Sequence, residues 1–242
     1  MKIYPLLILS LFLFAGCHVT YMQVYNTDTF NTQKTDNTFV FENDSLKITY
    51  SFWSNGGAMS FSVFNKLTTP LYIDWRRSSC IVNSKNSFYA EDSLVSEATT
   101  SHSYDYYYKN YIPVSSHTTT THQKYISFIP PRSIAEKSLP FIVRKYISLP
   151  PVTDVSIRVR NDSRRKKTKI YDYKYDGQNS PVVFRNYLTL SYDEDFQKTF
   201  SVDNGFYVSQ IQAMDIDNFR TVYGDSTIKY YYKKGTDFYL VK

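Results

Sequence analysis

The sequence predicts an all-β chain folded as an antiparallel β-sandwich, and three observations carry that expectation. The chain of 242 residues holds 24 Tyr and 17 Phe, is rich in Thr, Ser, Asn and Val, and is poor in Gly, Ala and Leu. Tyr, Phe, Thr and Val suit a pleated surface, whereas the usual helix formers are scarce. Short apolar or alternating runs recur at turn spacings of about ten residues, as in a sandwich. Helical crossovers are missing between them, which argues against a parallel α/β sheet.

In chain order, residues 38–42 and 46–53 read as a hairpin around Asn43-Asp44, with Leu46, Ile48, Tyr50 and Phe52 alternating along the second arm. Asn55-Gly56-Gly57 makes a tight turn into 59–64. Pro70 opens a strand over 71–75, and further strands are expected over 79–82 and 88–90. Residues 92–123 are Ser-, Thr-, His- and Tyr-rich and read as a long projecting hairpin or loop. Residues 124–129 return to strand character until Pro130-Pro131. One helical turn is expected within 132–138, then a strand over 141–149 ended by Pro150-Pro151. Val155, Ile157 and Val159 alternate with polar residues, and Asn161-Asp162-Ser163 turns that strand back into 169–176. Strands are expected over 182–192, 206–213, 229–232 and 238–241, with a short helix within 193–200. No internal repeat or linker divides the body.

The N-terminus carries an address. A basic start with Lys2, an apolar run over residues 6–15 broken by Ser10, and the small-residue exit Ala15-Gly16 have the layout of a secretory signal. The apolar run reaches only ~15 Å against a ~30 Å hydrocarbon core, too short to span a membrane. Cys17 directly after Ala15-Gly16 fits a lipobox, with Phe14 where Leu is usual. The expected organisation is therefore a lipoprotein signal peptide over 1–16, a flexible tether over 17–37 behind an acylated Cys17, and a single β-rich domain over 38–242. Two or more acyl chains hold a protein stably on its membrane. Cys80 then has no partner thiol within the chain, and its setting in Ser79-Cys80-Ile81-Val82 suits a small buried filler.

Several stretches resemble a group of uncharacterised lipoproteins of Bacteroidota. They are Phe61-Ser62-Val63-Phe64-Asn65-Lys66 with Pro70-Leu71-Tyr72-Ile73-Asp74-Trp75, Phe128-Ile129-Pro130-Pro131, residues 180–189, and Asp203-Asn204-Gly205-Phe206-Tyr207-Val208-Ser209. The resemblance covers about residues 38–212 and implies an immunoglobulin-like sandwich and an envelope location. It brings no catalytic residue. Surface-displayed lipoproteins of that phylum have acidic residues just after the lipidated cysteine, and here no acid precedes Asp28. The resemblance thus implies an outer-membrane anchor facing the periplasm.

Candidate sites are few. Arg158, Arg160, Arg164, Arg165, Lys166, Lys167 and Lys169 form the one strong charge cluster, suited to anionic head groups or an acidic partner, or simply a solvated hairpin tip. His102, His117 and His122 match no zinc spacing. Asp193-Glu194-Asp195 and Asp215-Ile216-Asp217 lack the glycine and glutamate of a calcium loop and read as solvated turns. The tyrosines at 106–111 and 230–232 would offer contact area to sugars or protein, with about half expected in the core.

The sequence contains no nucleophile elbow, phosphate-cradling glycine loop, dinucleotide fingerprint or metalloprotease helix. A net charge of +6, and no recognition signature, argue against nucleic acid as a partner. The expectation is a non-enzymatic binding or accessory protein with no cofactor, held on its membrane by lipid and meeting another envelope protein. A glycan-binding or glycan-hydrolysing lipoprotein is the alternative.

Overall fold

A computed structural model describes residues 21–90, 95–105, 110–121, 125–150, 155–159, 167–223 and 234–241. The strands are β1 (Tyr21–Thr29), β2 (Gln33–Lys34), β3 (Phe39–Glu42), β4 (Leu46–Ser51), β5 (Ala58–Asn65), β6 (Leu71–Val82), β7 (Lys85–Phe88), β8 (Val95–Asp105), β9 (Asn110–Thr121), β10 (Ile126–Ile129), β11 (Ile134–Pro140), β12 (Val155–Val159), β13 (Lys167–Lys174), β14 (Val183–Ser191), β15 (Thr199–Asp215) and β16 (Asp237–Val241). Among the described residues a helix, α1, covers Ile216–Tyr223. The chain is an antiparallel β-sandwich, as composition and strand spacing predict.

The larger sheet runs β10-β6-β14-β15-β1-β16, with β7 beside the second half of β6, β13 beside the last part of β15, and β12 on β13. The smaller sheet is the meander β11-β5-β4-β3-β2. Alternation explains these strands: in β4, Leu46, Ile48 and Tyr50 are buried while Lys47, Thr49 and Ser51 are half-exposed, and β5 repeats the pattern. Between the sheets, Phe52 packs edge-on to Phe184 at 5.1 Å and to Phe206 at 5.0 Å. Tyr50 meets Phe206 at 5.0 Å, and Phe39 meets it at 5.2 Å. Such pairs each contribute roughly 0.5–1.5 kcal/mol beyond the area they bury.

Both sides of the sandwich are closed. Pro130-Pro131 carries the chain from β10 in one sheet to β11 in the other, and the Asn65 side chain ties this corner to the carbonyls of Thr69 and Ile129. On the other side the 54–57 turn docks on β16, with Gly56 N–H donating to Tyr239 at 2.7 Å and Tyr239 N–H to Ser54 at 3.2 Å. Gly56 sits at φ +80°, and a Cβ there would lie 2.8 Å from the Val143 carbonyl. These contacts cover strand edges that would otherwise invite pairing with another chain.

The structure corrects the expected tether from residue 21 onward. β1 lies inside the larger sheet, paired to β15 from Tyr21↔Asp215 to Thr29↔Phe206 and to β16 from Met22↔Val241 to Asn26↔Asp237. Tyr25 joins the inter-sheet core, while Met22 and Val24 face a second small core with Ile170, Met214 and Phe219. A strand buried on both faces shows no period-two pattern. Its buried polar residues also find partners: Gln23 clamps residue 147 by donating to and accepting from its backbone, and Thr27 bonds the Thr236 carbonyl.

Other expectations are also revised. Residues 132–138 make no helical turn, because β11 pairs with β5 over its whole length. Residues 141–150 form an irregular strap, bonded through Ile142 and Val143 to Gly57 and Gly56. The 192–198 connection is a turn in which Asp193 accepts from the N–H groups of Gln197 and Lys198. The strands expected over 71–75 and 79–82 are one strand with a bulge, since Tyr187 pairs Ser79 and Thr189 pairs Asp74. The expected hairpin at 92–123 is present as β8 and β9, paired from Val95↔Thr121 to Asp105↔Asn110. The strand expected over 229–232 lies outside the described residues.

Asp237 supplies a pH-dependent term. Its buried carboxylate accepts from Asn26 Nδ2 at 2.7 Å and lies 3.9 Å from Lys234 Nζ. Burial, outweighing Lys234, raises its pKa above the usual carboxylate value. The folded state therefore holds this proton more tightly than the unfolded one. Stability from this group is greatest below the unfolded pKa of about 3.9 and declines as pH rises through the folded value. Asp237→Asn keeps an oxygen for Asn26 and removes that decline. In calorimetry the variant's Tm should gain on the parent's as pH is raised from about 4 toward neutrality, and a difference independent of pH would contradict this account.

Candidate functional site

The outer face of the larger sheet holds a groove of about 370 Å³ between the β6–β7 hairpin and β14, lined by Ile81, Asn83, Ser84, Asn86, Val183, Phe184 and Arg185. Asn83 and Ser84 both have positive φ, 45° and 66°, the signature of a two-residue hairpin turn matched to strand twist. Asn83 then locks the hairpin to β14: its Oδ1 accepts from Val183 N–H at 2.8 Å and its Nδ2 donates to the Pro181 carbonyl at 3.0 Å. Arg185 projects at the groove's edge and donates to Asp203 Oδ2 at 2.5 Å. Both side chains are more than a third exposed, so the pair contributes at most about 1 kcal/mol, and the guanidinium still has donors to offer a ligand.

Beside this pair lies an aromatic shelf. Phe30, 55% exposed, rests on Gly205 and Gly177 and meets Tyr207 at 4.9 Å. A Cβ at Gly205 would stand 3.0 Å from its ring, so the glycines let the ring lie flat on the sheet. Asn31 holds the shelf's edge, accepting from Gly205 N–H at 2.9 Å and donating to the Asp203 carbonyl at 2.7 Å. Chemically, the arrangement offers a guanidinium fork, amide groups and aromatic faces. The groove lining contains one ionisable side chain, Arg185, and no carboxylate pair of the kind that hydrolyses glycosides.

Comparisons with protein-family models, with curated proteins and with solved structures return no match for this chain. The reading of the site therefore rests on its own geometry.

The residues singled out in sequence fall partly within the described residues, and the described part of the basic cluster lies on one hairpin, β12–β13. Cys17, Arg160, Arg164, Arg165, Lys166 and His122 lie outside the described residues. Arg158 falls on β12 opposite Thr168, and Lys167 and Lys169 fall on β13 opposite Val159 and Ile157. The β8–β9 register sets His102 opposite Pro113 and His117 opposite Thr99. Cys80 is buried, and burial pushes its thiol up to about 12, which leaves it inert as a nucleophile. The acidic pairs have local partners: Asp215 caps α1 by accepting from Asn218 N–H at 2.7 Å, and Asp217 lies 3.8 Å from Arg220.

Two features escaped the sequence reading. The β6 bulge presents Arg76 and Arg77 on the surface, anchored to buried Asp74, with the Arg76 guanidinium 5.0 Å from the Tyr125 ring centre. Inside the core, Tyr89 donates to Asn186 Oδ1 at 2.8 Å, Asn186 Nδ2 donates to the Tyr50 hydroxyl at 3.1 Å, and Tyr50 donates to Asn204 Oδ1 at 2.7 Å. Burial raises the pKa of both tyrosines well above the ordinary phenol value, so they act as neutral hydrogen-bonding groups. This chain joins the two sheets and fixes their relative register. Tyr50→Phe leaves Asn204 Oδ1 and Asn186 Nδ2 without that partner, and should lower unfolding free energy in urea by roughly 1–3 kcal/mol. An unchanged urea midpoint would show the chain to be energetically idle.

Proposed function

We propose that this chain is a lipid-anchored cell-envelope protein, held through Cys17 at the outer membrane facing the periplasm, with a non-enzymatic binding or accessory role. The observation that carries this reading is the basic, apolar and small-residue leader ending in Ala15-Gly16-Cys17. The groove beside Arg185 supports a binding role, because it combines directional donors with aromatic surface and lacks a carboxylate pair. Its partner is another envelope component.

The second reading, glycan binding, is favoured by the Phe30 and Tyr207 shelf beside Arg185, since flat aromatic faces next to hydrogen-bond donors suit sugar rings. Retardation of the protein in polysaccharide-containing gels, lost in Phe30→Ala, would favour this alternative over a protein partner.

Expression in the native host tests the anchor. Wild-type protein should sediment with membranes and incorporate labelled palmitate, whereas Cys17→Ala should do neither. Equal partition of the two into the soluble fraction would remove the basis for an envelope role.

A further inference from the structure

The end of the sandwich where β1 begins presents a connected rim of aromatic, aliphatic and basic groups. Tyr21 is 48% exposed, Phe141 52% and Val241 41%. Val241 pairs with Met22, one residue from Tyr21, and its N–H lies 3.4 Å from Asn55 Oδ1. Gly56, the next residue, gives Phe141 room: a Cβ there would lie 2.9 Å from the Phe141 ring. The Arg144 guanidinium stands 6.0 Å from that ring's centre, and Lys145 beside it is exposed. The circuit closes where Gln23, two residues from Tyr21, clamps the backbone of Ile147 beside Tyr146.

Phe141 marks this rim as more than scattered surface. It holds φ at 67°, a region that a bulky side chain rarely adopts. Strained backbone persists only where surrounding contacts impose it, here the paired bonds from Ile142 and Val143 to Gly57 and Gly56. The outcome is an aromatic ring turned half into solvent beside the Arg144 guanidinium. The acidic groups nearby are engaged, Asp215 at the start of α1 and Asp217 with Arg220.

Position supplies the occupant. Four residue steps separate Cys17 from Tyr21, a reach of at most ~14 Å even when extended. We infer that the rim of Tyr21, Phe141 and Val241, with Arg144 and Lys145, docks on an anionic phospholipid surface, the aromatic rings at headgroup depth and the cations on lipid phosphates. Tyr and Trp favour that depth, and lysine and arginine are drawn to anionic leaflets. The inference rests on the lipid-anchor reading for its orientation. It leaves Phe30, about 30 Å along β1 at ~3.3 Å per residue, at the far end of the sheet.

The test separates docking from acylation. Residues 1–17 are replaced by a hexahistidine tag, and the chain is bound to phosphatidylethanolamine–phosphatidylglycerol vesicles containing a nickel-chelating lipid. Phe141→Trp and Val241→Trp report on the rim and Phe30→Trp on the far end, each after subtraction of the parent's emission. Bromine-labelled acyl chains should quench the rim tryptophans at least twofold more than the one at 30, and Arg144→Glu with Lys145→Glu should abolish the difference. Equal quenching at the three positions would overturn the inference, as would a rim shift that depends on protein density and not on brominated lipid, which indicates contact between copies. Because the tag supplies the anchor, failure here is distinct from failure of Cys17 to be acylated, which fractionation in the host reads.

Discussion

The packing of large aromatic rings across the gap between the sheets is the contact on which the remainder of the fold rests. Tyr50 and Phe52 come from one sheet and Phe184 and Phe206 from the other, and Phe184 and Phe206 are themselves paired across β14 and β15. Rings of this size fill a ~10 Å space without small residues to interleave. They also fix register, since a slip of β4 by one position would turn Tyr50 outward and break its bonds to Asn186 and Asn204. The polar chain in the core is tolerable because three of its donors, the hydroxyls of Tyr89 and Tyr50 and Asn186 Nδ2, are held on acceptors by the packing around them.

Legibility followed burial. β4, β5 and β14 were readable because one face is buried and the other is not. β1 was not, because both faces are covered and its polar Gln23 and Thr27 are satisfied by groups far along the chain. Ala135, Glu136 and Lys137 favour a helix locally, yet seven paired residues on β5 prevail over that preference. The eight-residue α1 is too short for a periodic signal, although Asp215 was its available cap. Cys80 was readable because a small apolar residue in a strand has few other fates. The groove was not, because β6–β14 pairing brings together Asn83 and Arg185, which stand far apart in sequence.

The two surfaces proposed for binding and for membrane docking lie apart along the long axis of the larger sheet. The groove and the Phe30 shelf belong to the part of the sheet reached after β1 has run its length, and the Tyr21 rim to the part where it starts. A protein seated on lipid by the rim would hold its donors and aromatic faces toward the aqueous compartment. The β6 bulge, with Arg76 and Arg77, lies along the same sheet and adds positive charge to its exposed surface.

The place of β1 also sets an order of assembly. Its two neighbours, β15 and β16, are made last, so the segment that leaves the ribosome earliest among the described strands must wait for the final ones before it can pair. At about 5–20 residues per second that delay is on the order of 10–40 s. Through that interval the larger sheet lacks an interior member, and the growing polypeptide cannot seal its second small core.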